Sequence, residues 1–302
     1  MTLHHRARTC ALAAAIALAV PFAAQAQGPA PIKIAAQKSI DLRLDGRITA
    51  QAARPLEIRT PDAAFIKVHF EHFALPAGVT LEVSNPSRTE VYRYSSSARD
   101  RHTVAADLGQ DGRTSFSAMS VTGPVAVLRL VGTAREPWTS RHGVKVSRYL
   151  EGFPEAALPE LQRSNLLSAP GASPMSICGV KDSQAAACYS SSDTLAFDRT
   201  RPVARMLSSS GSLCTAWRVG AFNHMFTNNH CISTASAVAG AEFWFNYQKS
   251  SCTGADATPT KVAGDVLFRT DSTLDYTLFS DRKSVVGKEC NTKCRSRWSP
   301  YH

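Results

Sequence analysis

Cysteine is missing from residues 40–149, which leaves that stretch no disulfide and no thiolate metal centre to fold around. The same stretch lacks any sustained helical periodicity, which argues against a helical bundle. Beyond the first 27 residues no apolar run reaches eighteen residues, so a membrane-spanning helix is not expected after the N-terminal segment. Excess charge of one sign is missing from residues 166–280, where eight Lys and Arg face eight Asp and Glu. The overall +10 therefore resides elsewhere, six of the ten charges lying in the first 26 and the last 22 residues, and it does not argue for nucleic-acid binding.

What is present divides the 302 residues into segments. Residues 1–26 combine Arg6 and Arg8, an apolar run over 11–20 and Ala24-Gln25-Ala26, the pattern of a secretory signal cleaved after Ala26. Cys10 would leave with it, and the remaining cysteines would meet an oxidising compartment, extracellular or periplasmic. Over 27–150 short runs recur, among them 66–71, 80–83, 90–94, 114–119 and 125–131, several alternating apolar with polar, with turns such as Leu75-Pro76-Ala77-Gly78 between them. Strands of this length at about ten-residue spacing predict a β-sandwich. His69, His72 and His102 could form a metal site, but solvent-facing polar positions on alternating strands account for them better. Residues 151–176, rich in Ala, Pro, Leu and Ser, read as a linker with a short helix over 159–167 and a processing point at Arg163.

The stretch 213–231 carries the chemistry. Two short runs, 213–220 and 225–227, flank a turn at Gly220-Ala221-Phe222-Asn223 and read as a β-hairpin ending in Asn229-His230-Cys231. A bridge from Cys214 to Cys231 would close a seventeen-residue loop, worth about 3 kcal/mol on the chain-entropy model. It would also hold the backbone beside His230. Downstream, Asp275 precedes the apolar run Tyr276-Thr277-Leu278-Phe279, with Asp271 as a competitor lying outside that run.

The Thr227-x-x-His230-Cys231 ending resembles the histidine motif of trypsin-like serine peptidases. With Cys178, Cys188, and Trp244-Phe245-Asn246-Tyr247-Gln248 followed by Cys252, the chain resembles secreted bacterial precursors of the lysyl endopeptidase group. The resemblance implies an all-β architecture: a β-sandwich-like pro-region over 27–150, a linker over 151–176, and over 177–280 the first β-barrel, incomplete, of a chymotrypsin-like double barrel. It implies His230 as general base, Asp275 as its orienting carboxylate, and a Cys188–Cys252 disulfide beside Cys214–Cys231, with Cys178 left without a mate. Protein or peptide substrates cut after Lys or Arg, and the chain's own pro-region, are the implied partners. No cofactor, metal, nucleic acid or membrane partner is implied once the signal is removed.

The chain departs from that pattern where the nucleophile should be. Ser284, Ser296 and Ser299 follow Asp275 without the flanking glycines that shape an oxyanion hole. Residues 281–302 carry six Lys and Arg against two Asp and Glu and read as a non-native, artefactual tail. Cys290 and Cys294 within it lack a second ligand pair for zinc. Two functional classes result: a serine endopeptidase precursor whose serine is missing from this chain, itself inert, or a non-catalytic secreted β-domain binding protein or inactive peptidase homologue. Exported protein is expected to begin at Gln27 on N-terminal sequencing; Met1 on exported material would remove the signal assignment.

Overall fold

The computed structural model describes residues 30–45, 55–99, 101–168, 184–220 and 222–282. The signal segment, Cys178, Cys290, Cys294, Ser284, Ser296 and Ser299 lie outside these residues, as does the tail from 283 onward. In chain order the first strands are β1 (Ile32–Lys33), β2 (Ala35–Leu44), β3 (Leu56–Arg59), β4 (Phe65–Ala74), β5 (Val79–Ser84), β6 (Val91–Tyr94), β7 (Phe116–Ser117), β8 (Val121–Thr122), β9 (Val125–Gly132) and β10 (Gly143–Gly152). Helices α1 (Leu158–Ser168), α2 (Tyr189–Ser192) and α3 (Thr194–Arg199) follow. After them come β11 (Val203–Leu207), β12 (Ser212–Val219), β13 (His224–Thr227), α4 (Ala235–Gly240), β14 (Glu242–Phe245), β15 (Thr260–Asp271) and β16 (Tyr276–Asp281).

Alternation builds the sandwich. One sheet runs β2-β10-β4-β7, with β8 also on β4, and the other runs β3-β9-β5-β6. Ile66, Val68 and Phe70 from β4 meet Leu81, Val83, Leu128 and Leu130 from the facing sheet in one buried core. Tyr94 joins the aromatic group of Phe70 and Phe116, and its hydroxyl accepts a hydrogen bond from Met119 N at 2.8 Å. The fold is all-β, as the sequence led us to expect.

Among the described residues six antiparallel strands then close a barrel in the order β12-β11-β14-β15-β16-β13, with β13 pairing back onto β12. Met206, Met225, Phe243, Val262 and Phe279 point inward and fill it, leaving alternate residues of the same strands on the outside. Helix α4 is capped by Thr234, whose hydroxyl accepts from Ala237 N at 3.1 Å. It lies so close to β15 that a Cβ at Gly264 would sit 2.1 Å from the Val238 carbonyl oxygen, so only glycine fits there.

The outer face of β11, β14 and β15 is covered by the sandwich. Trp244 packs edge-on against Phe65 with centroids 5.3 Å apart, and Val104 N donates to Ala239 O at 2.8 Å. Between the units lies a group of buried charges whose side chains are each 3% exposed or less: Lys67, Glu242, Lys261 and Glu90. Lys67 Nζ donates to Glu242 Oε1 at 2.5 Å and to Thr103 Oγ1 at 2.7 Å. Glu242 further accepts from Ser120 N at 2.9 Å, Ser120 Oγ at 2.7 Å and Trp244 Nε1 at 3.0 Å. Lys261 pairs with Glu90 at 2.7 Å and donates to Ser120 O at 3.0 Å. Burial alone would raise the Glu242 carboxyl, but Lys67, Lys261 and the Ser120 hydrogen bond outweigh it and hold the group below its ordinary value.

The structure corrects the reading of one histidine. His69 is 1% exposed rather than solvent-facing, closed in by its own unit at Ser117. Its Nδ1 lies 2.7 Å from Ser117 Oγ, and burial, with Lys67 and Arg148 nearby, pushes its imidazole down to about 3. His72 is exposed, as expected, and bonds to Arg141 O, while His102 is half-buried and edge-on to Phe116. The linker segment is equally engaged. Strand β10 runs to Gly152, α1 extends one residue beyond the expected helix at each end and contains Arg163, and Glu155 pairs with Arg205 of the barrel at 3.0 Å.

Replacing Glu242 by Gln leaves Lys67 without its buried ion-pair partner, while Lys261 keeps Glu90, and is expected to lower unfolding stability by about 3–5 kcal/mol in urea titrations. Because the folded glutamate is depressed, its contribution is complete above the ordinary carboxyl value and is lost as pH falls through the folded one. The urea midpoint of the unmodified chain should therefore drop below about pH 4.3, and Glu242→Gln should flatten that dependence; an unchanged midpoint at pH 7 would show the network to be dispensable.

Candidate functional site

Strand β12 pairs with β13 through Trp217–Phe226, Arg218–Met225 and Val219–His224, the hairpin expected from the sequence. Thr227 Oγ1 donates to Thr215 O at 2.8 Å and ties the end of β13 to β12. A turn follows in which Cys231 N and Ile232 N both donate to Asn228 O, and it carries His230. Asp275 sits across from it at the turn from β15 to β16, with φ of 48°. Aspartate is among the few non-glycine residues that adopt this left-handed region readily.

His230 and Asp275, 45 residues apart in sequence, are in direct contact. Nδ1 lies 2.8 Å from Asp275 Oδ2 and 3.1 Å from Oδ1, and the backbone N of His230 donates to Oδ1 at 3.1 Å. Asn228 Nδ2 adds a bond to Oδ2 at 3.1 Å. Partial burial pushes the Asp275 carboxyl up, yet the hydrogen bonds from His230 and Asn228 dominate and hold it below its ordinary value. Asp275 is thus the acceptor, and Nδ1 carries the proton. The competitor Asp271 shapes the turn that presents Asp275, its Oδ1 accepting from Thr273 N and Leu274 N at 2.8 and 2.9 Å.

Two disulfides frame the site. Cys214 is bonded to Cys231 and Cys188 to Cys252, closing loops of 17 and 64 residues, which the chain-entropy model values at about 3 and 4 kcal/mol. His230 and the Cys214–Cys231 bridge line a cleft of about 750 Å³ together with Ile32 of β1 and Leu158 and Gln162 of α1. Its lining also holds residues that the sequence did not single out for this purpose. The Arg205 guanidinium lies 4.3 Å from the Tyr247 ring centroid and 5.3 Å from that of Trp244, a cation–π arrangement. Burial raises the Tyr247 hydroxyl above its ordinary value. Among the described residues no hydroxyl is hydrogen-bonded to Nε2 of His230.

A second feature escaped the sequence reading altogether. The outer face of β12, β13, β16 and the end of β15 is not covered by the sandwich and carries aromatic rings. Trp217 stacks on Phe226 at 6.4 Å, Phe226 meets Tyr276 at 6.0 Å, and Phe268 meets His224 edge-on at 5.3 Å. Trp217, Phe268 and Phe222 are 40, 51 and 67% exposed. The available signal was that aromatic residues occupy both sides of these strands, but sequence alone did not say which side had a cover.

Fold and site together define an all-β protein of a two-sheet sandwich joined to a disulfide-bearing barrel, with a His–Asp pair on its rim. No protein-family model matches the chain. It is similar to a curated protein of Plasmopara viticola, Secreted RxLR effector protein 73, with 32% identity over 247 residues that make up 78% of this chain and 56% of that relative. The chain thus spans about half the length of the curated relative it matches.

These findings correct two expectations. The kinship drawn with bacterial trypsin-like and lysyl-endopeptidase-like peptidases is overturned by a relative that is an oomycete effector and by the lack of a matching family model. Serine endopeptidase falls with it as the function, and the non-catalytic alternative fits better. The physical reason is that Thr-x-x-His-Cys and Asp-Tyr-Thr-Leu encode a bridged hairpin and a turn-borne carboxylate, whereas peptide hydrolysis also needs a nucleophile and oxyanion donors. The name of the relative describes it as secreted, and among the described residues no helix is long and apolar enough to cross a membrane.

Asp275→Asn is expected to abolish the slowly exchanging Nδ1 proton of His230 in NMR spectra and to speed amide exchange over 228–232 several-fold. A His230 proton that survives the substitution would show that the carboxylate does not orient the ring.

Proposed function

We propose that the chain acts by binding another protein rather than by catalysis, as an exported two-unit β-protein whose contact surface is the aromatic outer face of the barrel. The single observation that carries this reading is the set of rings on the outer face of the barrel, with Trp217 and Phe268 exposed and Phe226 and Tyr276 half-buried beside them. The rings fall into two groups, Trp217–Phe226–Tyr276 and Phe222–His224–Phe268, and exposed apolar surface of this kind is retained by soluble proteins mainly for interaction. Tyr, Trp and Phe on a rigid sheet supply contact area at little entropic cost. Export to an oxidising compartment agrees with the signal-like N-terminus and the two disulfides, and a binding role agrees with a relative called an effector. The His230–Asp275 pair then serves to order the rim beside this face.

The test uses the full chain, immobilised for selection of displayed peptides. Selected peptides should compete for one surface, and Trp217→Ser with Phe268→Ser should weaken them at least tenfold, as for interface hot spots, with unchanged circular dichroism. In parallel, lysyl and arginyl peptides should stay uncut and a serine-directed fluorophosphonate should not label the chain. Hydrolysis that is lost in His230→Ala would overturn the non-catalytic reading, and full peptide binding by the Trp217/Phe268 variant would overturn the surface.

A further inference from the structure

The bridge beside His230 has a second chemistry. The two sulfurs of Cys214 and Cys231 and a ring nitrogen of His230 all lie within 4.8 Å of one another. Tetrahedral zinc holds thiolate sulfur at about 2.3 Å and imidazole nitrogen at about 2.0 Å, so its ligand atoms stand roughly 3.5–4 Å apart. Opening the sulfur–sulfur bond frees the two sulfurs to separate toward that spacing with the imidazole already beside them. The surroundings match too. Asp275 already accepts a hydrogen bond from Nδ1 of His230 at 2.8 Å, the carboxylate–histidine arrangement that fixes the tautomer and leaves Nε2 for a metal. The half-buried sulfurs and His230 border the cleft of about 750 Å³, which has room for water or an exogenous ligand as the fourth donor. The histidines of the sandwich do not converge in this way: His69, His72 and His102 bond to Ser117, to Arg141 and stack on Phe116 respectively.

We propose that Cys214, Cys231 and His230 form a reduction-gated site for a thiophilic divalent cation of the zinc class, with Asp275 as the positioning residue behind the histidine. A dithiol reductant donates two electrons and two protons to the bridge, giving two thiols and the oxidised dithiol. The cation then displaces both thiol protons and binds two thiolates and Nε2. In an oxidising compartment the bridge stays closed and the site is latent; in a reducing one the metal replaces the disulfide as the clamp on the hairpin. The site is independent of the aromatic face proposed for binding.

The experiment treats the full chain with a water-soluble phosphine, which opens disulfides by taking up the oxygen of water and binds zinc weakly. Zinc is then added or withheld, iodoacetamide applied for a short pulse, and alkylation quantified peptide by peptide. Zinc is expected to slow alkylation of Cys214 and Cys231 at least tenfold while leaving Cys188 and Cys252 unprotected. Cobalt in place of zinc should give thiolate charge-transfer bands in the reduced chain and none in the oxidised chain. His230→Ala should remove the protection, and Asp275→Asn should weaken cobalt binding 10–100-fold. Equal alkylation of Cys214 and Cys231 with and without zinc, or cobalt bands that persist in Cys214→Ser/Cys231→Ser, would overturn the site. The alkylation arm uses the unmodified sequence, so a variant that fails to fold does not affect it.

Discussion

The carboxylate of Glu242, set between Lys67 and Lys261 with no exposure to water, is the constraint around which the two units are arranged. An isolated charge in such a place costs several kcal/mol, and the cost is offset only when every lone pair finds a donor in good geometry. Here the donors come from both units at once: Lys67 and Ser120 from the sandwich, Trp244 from the barrel. Apolar contacts such as Phe65 on Trp244 tolerate sliding, whereas these hydrogen bonds do not. The network therefore sets the register of sandwich on barrel more than it adds net stability.

That register decides which surfaces remain. With β11, β14 and the start of β15 covered, the outward residues of β12, β13 and β16 are the ones left facing solvent, and Trp217, Phe226 and Tyr276 are among them. The same docking carries β1 onto the edge of β12 and places Glu155 against Arg205, so that the segment joining the units forms one wall of the cleft next to His230. A stretch that reads as a loose connector by composition is in this way part of the site.

The rim of the barrel shows how far a local motif can carry an argument. His230, Cys214 and Cys231 meet through a hairpin and a disulfide spanning 17 residues, and Asp275, on a turn shaped by Asp271, reaches them only because β16 pairs with β13. What the motif cannot encode is the use made of them. A histidine ordered by a carboxylate is a base where a nucleophile faces it, a metal ligand where thiolates do, and a structural clamp where neither does.

Several strands of the sandwich were legible in the sequence, since the alternation of Ile66, Val68 and Phe70 needs only a period of two to define a face, although β2 and β10 were not. The hairpin around Gly220 was legible too, because turn chemistry and flanking apolar runs act at short range, whereas the contact of His230 with Asp275, 45 residues on, depends on the pairing of β13 with β16. Only the tertiary structure decided that Lys67 and His69, on the other side of the same strand, are buried, and that Trp217 and Phe268 are not. Alternation tells that a strand has two faces, but what lies against the second face depends on residues such as Glu242, 175 positions away from Lys67. Contacts of that separation arise from the docking of whole sheets, which no local pattern records.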